Sequence, residues 1–151
     1  MKQLGKAMVA GFVATVVLSA LMVMKNMMGV MPELDLARML SGMMGMPGTP
    51  AVGWLAHFMI GTLGYGAALA LLQPHLPGKS ELAHGTALAF VGWLVMMTVL
   101  MPMAGAGFFA LNLGWMAPMM TLVLHLVFGA VLGWWFARSL AQEPQRPLLR
   151  A

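Results

Sequence analysis

Residues 82–137 read LAHGTALAFVGWLVMMTVLMPMAGAGFFALNLGWMAPMMTLVLHLVFGAVLGWWFA, 56 positions without a single Asp, Glu, Lys or Arg. A second uncharged tract runs over 39–78, between Arg38 and Lys79. One helical crossing of a bilayer takes about 20 apolar residues. The longer tract therefore holds two crossings and the shorter one. The apolar residues come in solid runs, not in alternation, which favours helices over the strands of a barrel.

The rest of the composition agrees. Of 151 residues, 61% are hydrophobic, 8% are charged and none is cysteine, with a mean hydropathy of +0.87. Soluble domains carry roughly 25% charged residues, so this chain lacks the polar surface to cover itself in water. Disorder and a disulfide-stapled secreted module are excluded on the same grounds. The expectation is an all-α integral membrane bundle, one transmembrane domain over 1–151. Its helices are placed near 4–24, 51–72, 82–103 and 115–138, with an outer loop at 25–50 and a C-terminal tail at 139–151. The 18 apolar residues from Ala7 to Met24 exceed the roughly 7–15 of a signal-peptide core, and no good cleavage signal follows. The segment is read as a retained membrane helix.

Basic residues mark the cytoplasmic side of such a protein. Lys2, Lys6, Lys79, Arg138, Arg146 and Arg150 fall on one side, whereas only Lys25 and Arg38 fall on the other, beside Glu33 and Asp35. Both termini are expected in the cytoplasm. The net charge of +4 then reports topology and lipid headgroup contact, not nucleic-acid binding.

In the outer loop, Leu36, Met39, Leu40 and Met43 recur at helical spacing. Pro32 suits a first helical position, Glu33 and Asp35 a first turn, and Gly42 a stop. This short helix lies along the outer interface or packs over the bundle. The loop at 104–114 is glycine-rich and uncharged, and can dip inward only where protein covers its backbone.

The two halves align weakly. Gly11 matches Gly85, Met22 matches Met96 and Met27 matches Met101, while His57 and Gly61 match His125 and Gly129. Such repeats are parallel, related by an axis along the membrane normal.

His57 and His125 are the candidate binding residues. An ionisable group in hydrocarbon faces the bundle interior. On a helical wheel His57 shares a face with Gly61, Gly64 and Ala68, and His125 lies over Gly129 near Gly133. Small residues let backbones approach, so each ring points into a packed seam. There it either hydrogen-bonds a neighbouring helix and fixes packing, or ligates a metal or haem. His75 and His84 belong to the cytoplasmic interface. The 19 methionines cluster towards the outer half. Their thioethers either fill irregular gaps or offer soft donors for copper. The candidates are Met22, Met96, Met97 and Met101. No intramembrane carboxylate, Ser-His-Asp set, zinc-protease motif or phosphate loop is present, so no enzyme is expected.

Gly11-Phe12-Val13-Ala14-Thr15, Leu55-Ala56-His57 followed by Gly61, Gly64 and Gly66, and the run His125 to Gly133 resemble a distantly YagU-like group of small four-helix bacterial inner-membrane proteins of unknown function. The resemblance implies a four-helix inner-membrane protein and transfers no activity. Three functions remain open: a non-catalytic accessory or structural component; a haem b or copper protein using both histidines with the outer methionines; and an oligomeric transporter or pore. The partners expected are the lipid bilayer and either further copies or a larger membrane complex.

Overall fold

A computed structural model describes residues 2–142. They form helices α1 (Lys2–Met27), α2 (Leu36–Met43), α3 (Pro50–His75), α4 (Glu81–Met103) and α5 (Met116–Ala141), with a short 3-10 stretch at Phe108–Leu113. The fold is all-α, and α1, α3, α4 and α5 are long and apolar enough to cross a membrane. Their ends agree with the sequence reading to within a turn. The helix placed at 115–138 runs on to Ala141, so the tail begins later than expected. Arg146, Arg150 and the remainder of that tail lie outside the described residues.

The helices alternate in direction. One end of the bundle, the terminal end, carries the start of α1, the end of α5 and the 76–80 turn. The other, the loop end, carries 28–49 and 104–115. Around the bundle the order is α3, α1, α5, α4.

Glycine sets the spacing. At Gly11 a Cβ would stand 2.5 Å from the Gly61 carbonyl oxygen of α3. At Gly85 of α4 it would collide with the backbone of Gly129 and Gly133 in α5. The aligned glycines of the two halves thus make the same contact. One turn on, Thr15 fills the space at Gly61 and Ala89 fills it at Gly129. Past that point the register slips by one. Gly66 rests on Ala7 and Met8 as Gly133 rests on Glu81 and Leu82, so Gly66, not Tyr65, is the partner of Gly133.

The slip has a local cause, because residues Ile60–Tyr65 of α3 are π-helical. An i to i+5 turn accommodates one more residue than an α turn. α4 carries a second π segment at Met96–Leu100. Pro102 follows it, and a proline ring inside a helix crowds the carbonyl four residues back, here that of Thr98. Beyond the π turn the helix face is rotated. Met22 and Met96 are both buried, at 7% and 6% exposure, but Met27 is 84% exposed where Met101 is 1%. The sequence match of Met27 with Met101 is therefore corrected.

α2 starts later than its sequence signals indicate. Asp35 is the N-cap, accepting from the Arg38 backbone N–H at 3.1 Å, and Pro32 and Glu33 lie outside the helix. Gly42 lies within it. The chain turns instead at Gly45, whose φ of +75° suits glycine. The helix packs over the bundle against Pro50–Met59, with Gly53 seated on the Ala37 carbonyl. In the 104–114 loop, Ala106 and Ala110 are buried against Trp93, Met97 and Met101, which covers the inward dip the sequence allowed.

Gly129→Val should destabilise the fold by about 1–3 kcal/mol through overpacking. Gly42→Ala, at an open helical site, should stabilise it by about 0.5–1 kcal/mol. Thermal unfolding in detergent, followed by circular dichroism, checks both; a Gly129→Val protein that melts like the parent contradicts the glycine seam.

Candidate functional site

A two-fold axis along the bundle would carry the α1–α5 interface onto an equivalent interface between α4 and α3. The first is close along the helices. The second is formed only at the terminal end, between Gly66–Leu72 and α4. Towards the loop end α3 and α4 part, and the space between them is a cavity of about 320 Å³. Both helices that border the gap carry a π segment at that level, and π turns recur at functional sites.

The two histidines meet there. His57 from α3 and His125 from α5 both line the cavity, together with Thr15, Tyr65, Met96 and Phe128. The floor is Tyr65. Its ring sits edge-on to Phe128 at 4.8 Å between centroids, and its hydroxyl reaches across to α4, where only a glycine, Gly92, leaves it room. The roof is α2, which contributes Leu36 and Leu40. The side is open, for Ile60 and Gly64 on α3 and Val91 and Val95 on α4 line the cavity and are exposed on the bundle surface.

The imidazoles differ in how they are held. At 2.8 Å from the Thr121 carbonyl oxygen, His125 Nδ1 donates, since a carbonyl can only accept. In the neutral ring Nε2 is then the acceptor. His57 is 7% exposed, and its Nε2 is buried without a hydrogen-bond partner. Trp54 and Phe58 flank it edge-on at 5.8 Å and 6.0 Å. A packing histidine would have its nitrogens satisfied. A buried polar atom left unpaired costs about 1–3 kcal/mol, and such atoms in native proteins call for a reason.

Thr121 ties this corner to α4. It accepts from the Trp93 indole N–H at 3.1 Å and donates to the Ala117 carbonyl at 2.8 Å. The sequence places Thr121 among the helix hydroxyls that satisfy local hydrogen bonds, as it does at Ala117, but the link to Trp93 is set by tertiary packing. The pairing of Tyr65 with Gly92, which also depends on tertiary packing, was missed in the sequence.

The methionine candidates separate. Met96 lines the histidine cavity. Met22, Met96 and Met101 border a neighbouring void of about 40 Å³ with His125 and Lys25. Met97 is fully buried, with its sulfur 3.9 Å from the Thr121 hydroxyl. No group of three or more His, Cys, Asp or Glu that could hold a metal occurs among the described residues. His84 lies at the terminal end beside Glu81 at 3.3 Å. Three larger hollows are shallow surface grooves: one of about 660 Å³ along α1 at Met24 and Met28, one of about 440 Å³ between α1 and α5 at Met24 and Met120, and one of about 430 Å³ at the terminal end between Val9 and Trp135.

The chain belongs to a family of unknown function, DUF6789, which it matches over residues 1–147. No curated protein and no solved structure matches it.

Two substitutions should move stability in opposite directions. Thr121→Val strands the Trp93 indole and should cost about 1 kcal/mol. His57→Leu removes the unpaired atom and should leave the melting temperature unchanged or raised. A large loss of stability in His57→Leu would show that the ring is a packing element after all.

Proposed function

We propose that this chain is a non-catalytic inner-membrane component, with both termini in the cytoplasm, that holds a ligand in the cavity between its four spans. The observation that carries this reading is the buried, unpartnered Nε2 of His57 beside a cavity that also receives His125. An ionisable group at such depth is by default a functional-site candidate. The cavity lining contains no carboxylate, thiol or lysine, which favours binding over catalysis. Tyr65, edge-on to Phe128, bounds its floor, which favours binding over conduction. The basic residues at the terminal end support the cytoplasmic placement and contact with lipid headgroups, without nucleic acid. The resemblance to the YagU-like proteins implies a four-helix topology and no activity.

Copper is the second reading, favoured by Met96 on the same wall as the two imidazoles. Two neutral nitrogens and a thioether suit a soft monovalent ion. Haem b fits less well. Small-molecule sites span roughly 300–1,000 Å³, and this cavity of about 320 Å³ is at the lower limit, with no Arg or Lys in its lining to meet two propionates.

Purification in mild detergent from copper-replete, haem-producing cells tests these readings together. Native mass spectrometry should find a small organic adduct on the wild type that is lost in His125→Leu, in a colourless protein. A Soret band, or one copper per chain that vanishes with His57→Leu, would transfer the site to the second reading. Metal-free, adduct-free protein, unaltered by either substitution except in stability, leaves only a structural role.

A further inference from the structure

The cavity opens sideways. Its rim, Ile60 and Gly64 on one helix and Val91 and Val95 on the other, lies on the surface of the bundle. At that depth the surroundings of a membrane-spanning bundle are acyl chains. The loop end is roofed by Leu36 and Leu40, and the terminal end is closed by Tyr65. A ligand therefore enters from the bilayer and must be soluble in it.

The walls then select among lipid-soluble molecules. Among the lining residues no side chain carries a fixed charge, so an ion would stand uncompensated in a medium of low dielectric constant. Lys25, on the adjoining void that shares His125 and Met96, repels a cation further. His125 Nε2 offers a lone pair, because Nδ1 is committed to Thr121. A hydrogen-bond donor on the ligand meets it. The space of about 320 Å³ corresponds to roughly ten water volumes, enough for one substituted ring with its tail left in the gap.

We propose that the gap between α3 and α4 is a lateral portal through which an uncharged hydroxyarene of the hydroquinone class enters from the bilayer and hydrogen-bonds to His57 and His125. This rests on the binding reading above and names its ligand. Only binding is involved, and no electron or proton is transferred.

Gly64 gives the sharpest handle, since it lines the cavity and a Cβ there would meet nothing within 4 Å. Gly64→Leu therefore puts apolar bulk at the portal from a position with room for a Cβ. The full chain in nanodiscs is titrated with tetramethylhydroquinone, with its dimethyl ether and with the parent tetramethylbenzene, following nitrogen-15 shifts of the histidine rings. The expected result is saturable 1:1 binding of the hydroquinone, at least about tenfold tighter than the ether, the equivalent of one hydrogen bond. Binding should be lost in Gly64→Leu and weakened about tenfold in His125→Leu. Monodisperse elution and an unchanged melting curve for Gly64→Leu confirm that its fold is intact.

Equal binding of all three probes, abolished by Gly64→Leu, overturns the hydroxyarene assignment and leaves the cavity as a binding site. Binding of no probe, or binding indifferent to Gly64→Leu, overturns the portal. If in addition no ligand co-purifies, the binding reading fails with it. A doubling of mass in the nanodisc that hides Ile60 and Val95 from lipid-borne labels would assign the gap to a second copy and also overturn the proposal.

Discussion

Close backbone contact at glycine is the interaction on which this bundle depends. In lipid, helices do not associate because they are apolar, since the acyl chains are as apolar as leucine. Dispersion at short range and a few hydrogen bonds remain, and both need backbones near each other. Gly11 on Gly61 and Gly85 on Gly129 supply that approach in the two halves. Everything buried around them, from Ala7, Ala10 and Ala14 to Leu132 and Phe136, is placed by those two crossings. The low burial of the spans, from 22% to 39% of each apolar window, fits helices whose outer faces are left to lipid.

The two halves are alike in their glycine contacts and unlike in their helical turns, and the difference lies where the cavity lies. A duplicated pair of hairpins would close both of its equivalent interfaces. Here α1 meets α5, but α3 and α4 separate above Gly66–Leu72. The π turn in α3 adds a residue between His57 and Gly66, so the helix keeps its glycine register at the terminal end while its upper half is displaced. The π turn in α4 rotates Met101 inward. Such distortions cost hydrogen-bond geometry, and in both helices they border the same gap.

Much of this was legible in the sequence, and the reason is that lipid imposes coarse rules. Charge-free tracts gave the crossings, and the small-residue faces beneath His57 and His125 gave the inward direction of both rings. The His-x-x-x-Gly pairing placed them at matching heights. What escaped was set by single-residue shifts. A π turn carries no composition signal of its own, so Met27 and Met101 were aligned although their faces differ. The start of α2 was misplaced because Glu33 and Asp35 both suit a first turn, and only the backbone geometry decides that Asp35 caps it. The four methionines could not be sorted by spacing, since the same residue type fills the core at Met97 and lines the cavity at Met96.

The loop end shows how the roof over the histidine corner is held. Lys25, in the last turn of its helix, borders the small void next to His125, yet its ammonium group is turned to the carbonyls of Val30, Met31 and Leu34 at 3.2, 3.0 and 2.9 Å. Met31 is held at a φ of +48°, a conformation that a long side chain adopts only when its surroundings enforce it. The lysine provides that enforcement. By gathering three carbonyls it pins the segment leading into α2, and α2 brings Leu36 and Leu40 over the cavity. One cation thus both seats the roof and guards the chamber below it against other cations, so that two imidazoles are left facing a space suited to an uncharged guest.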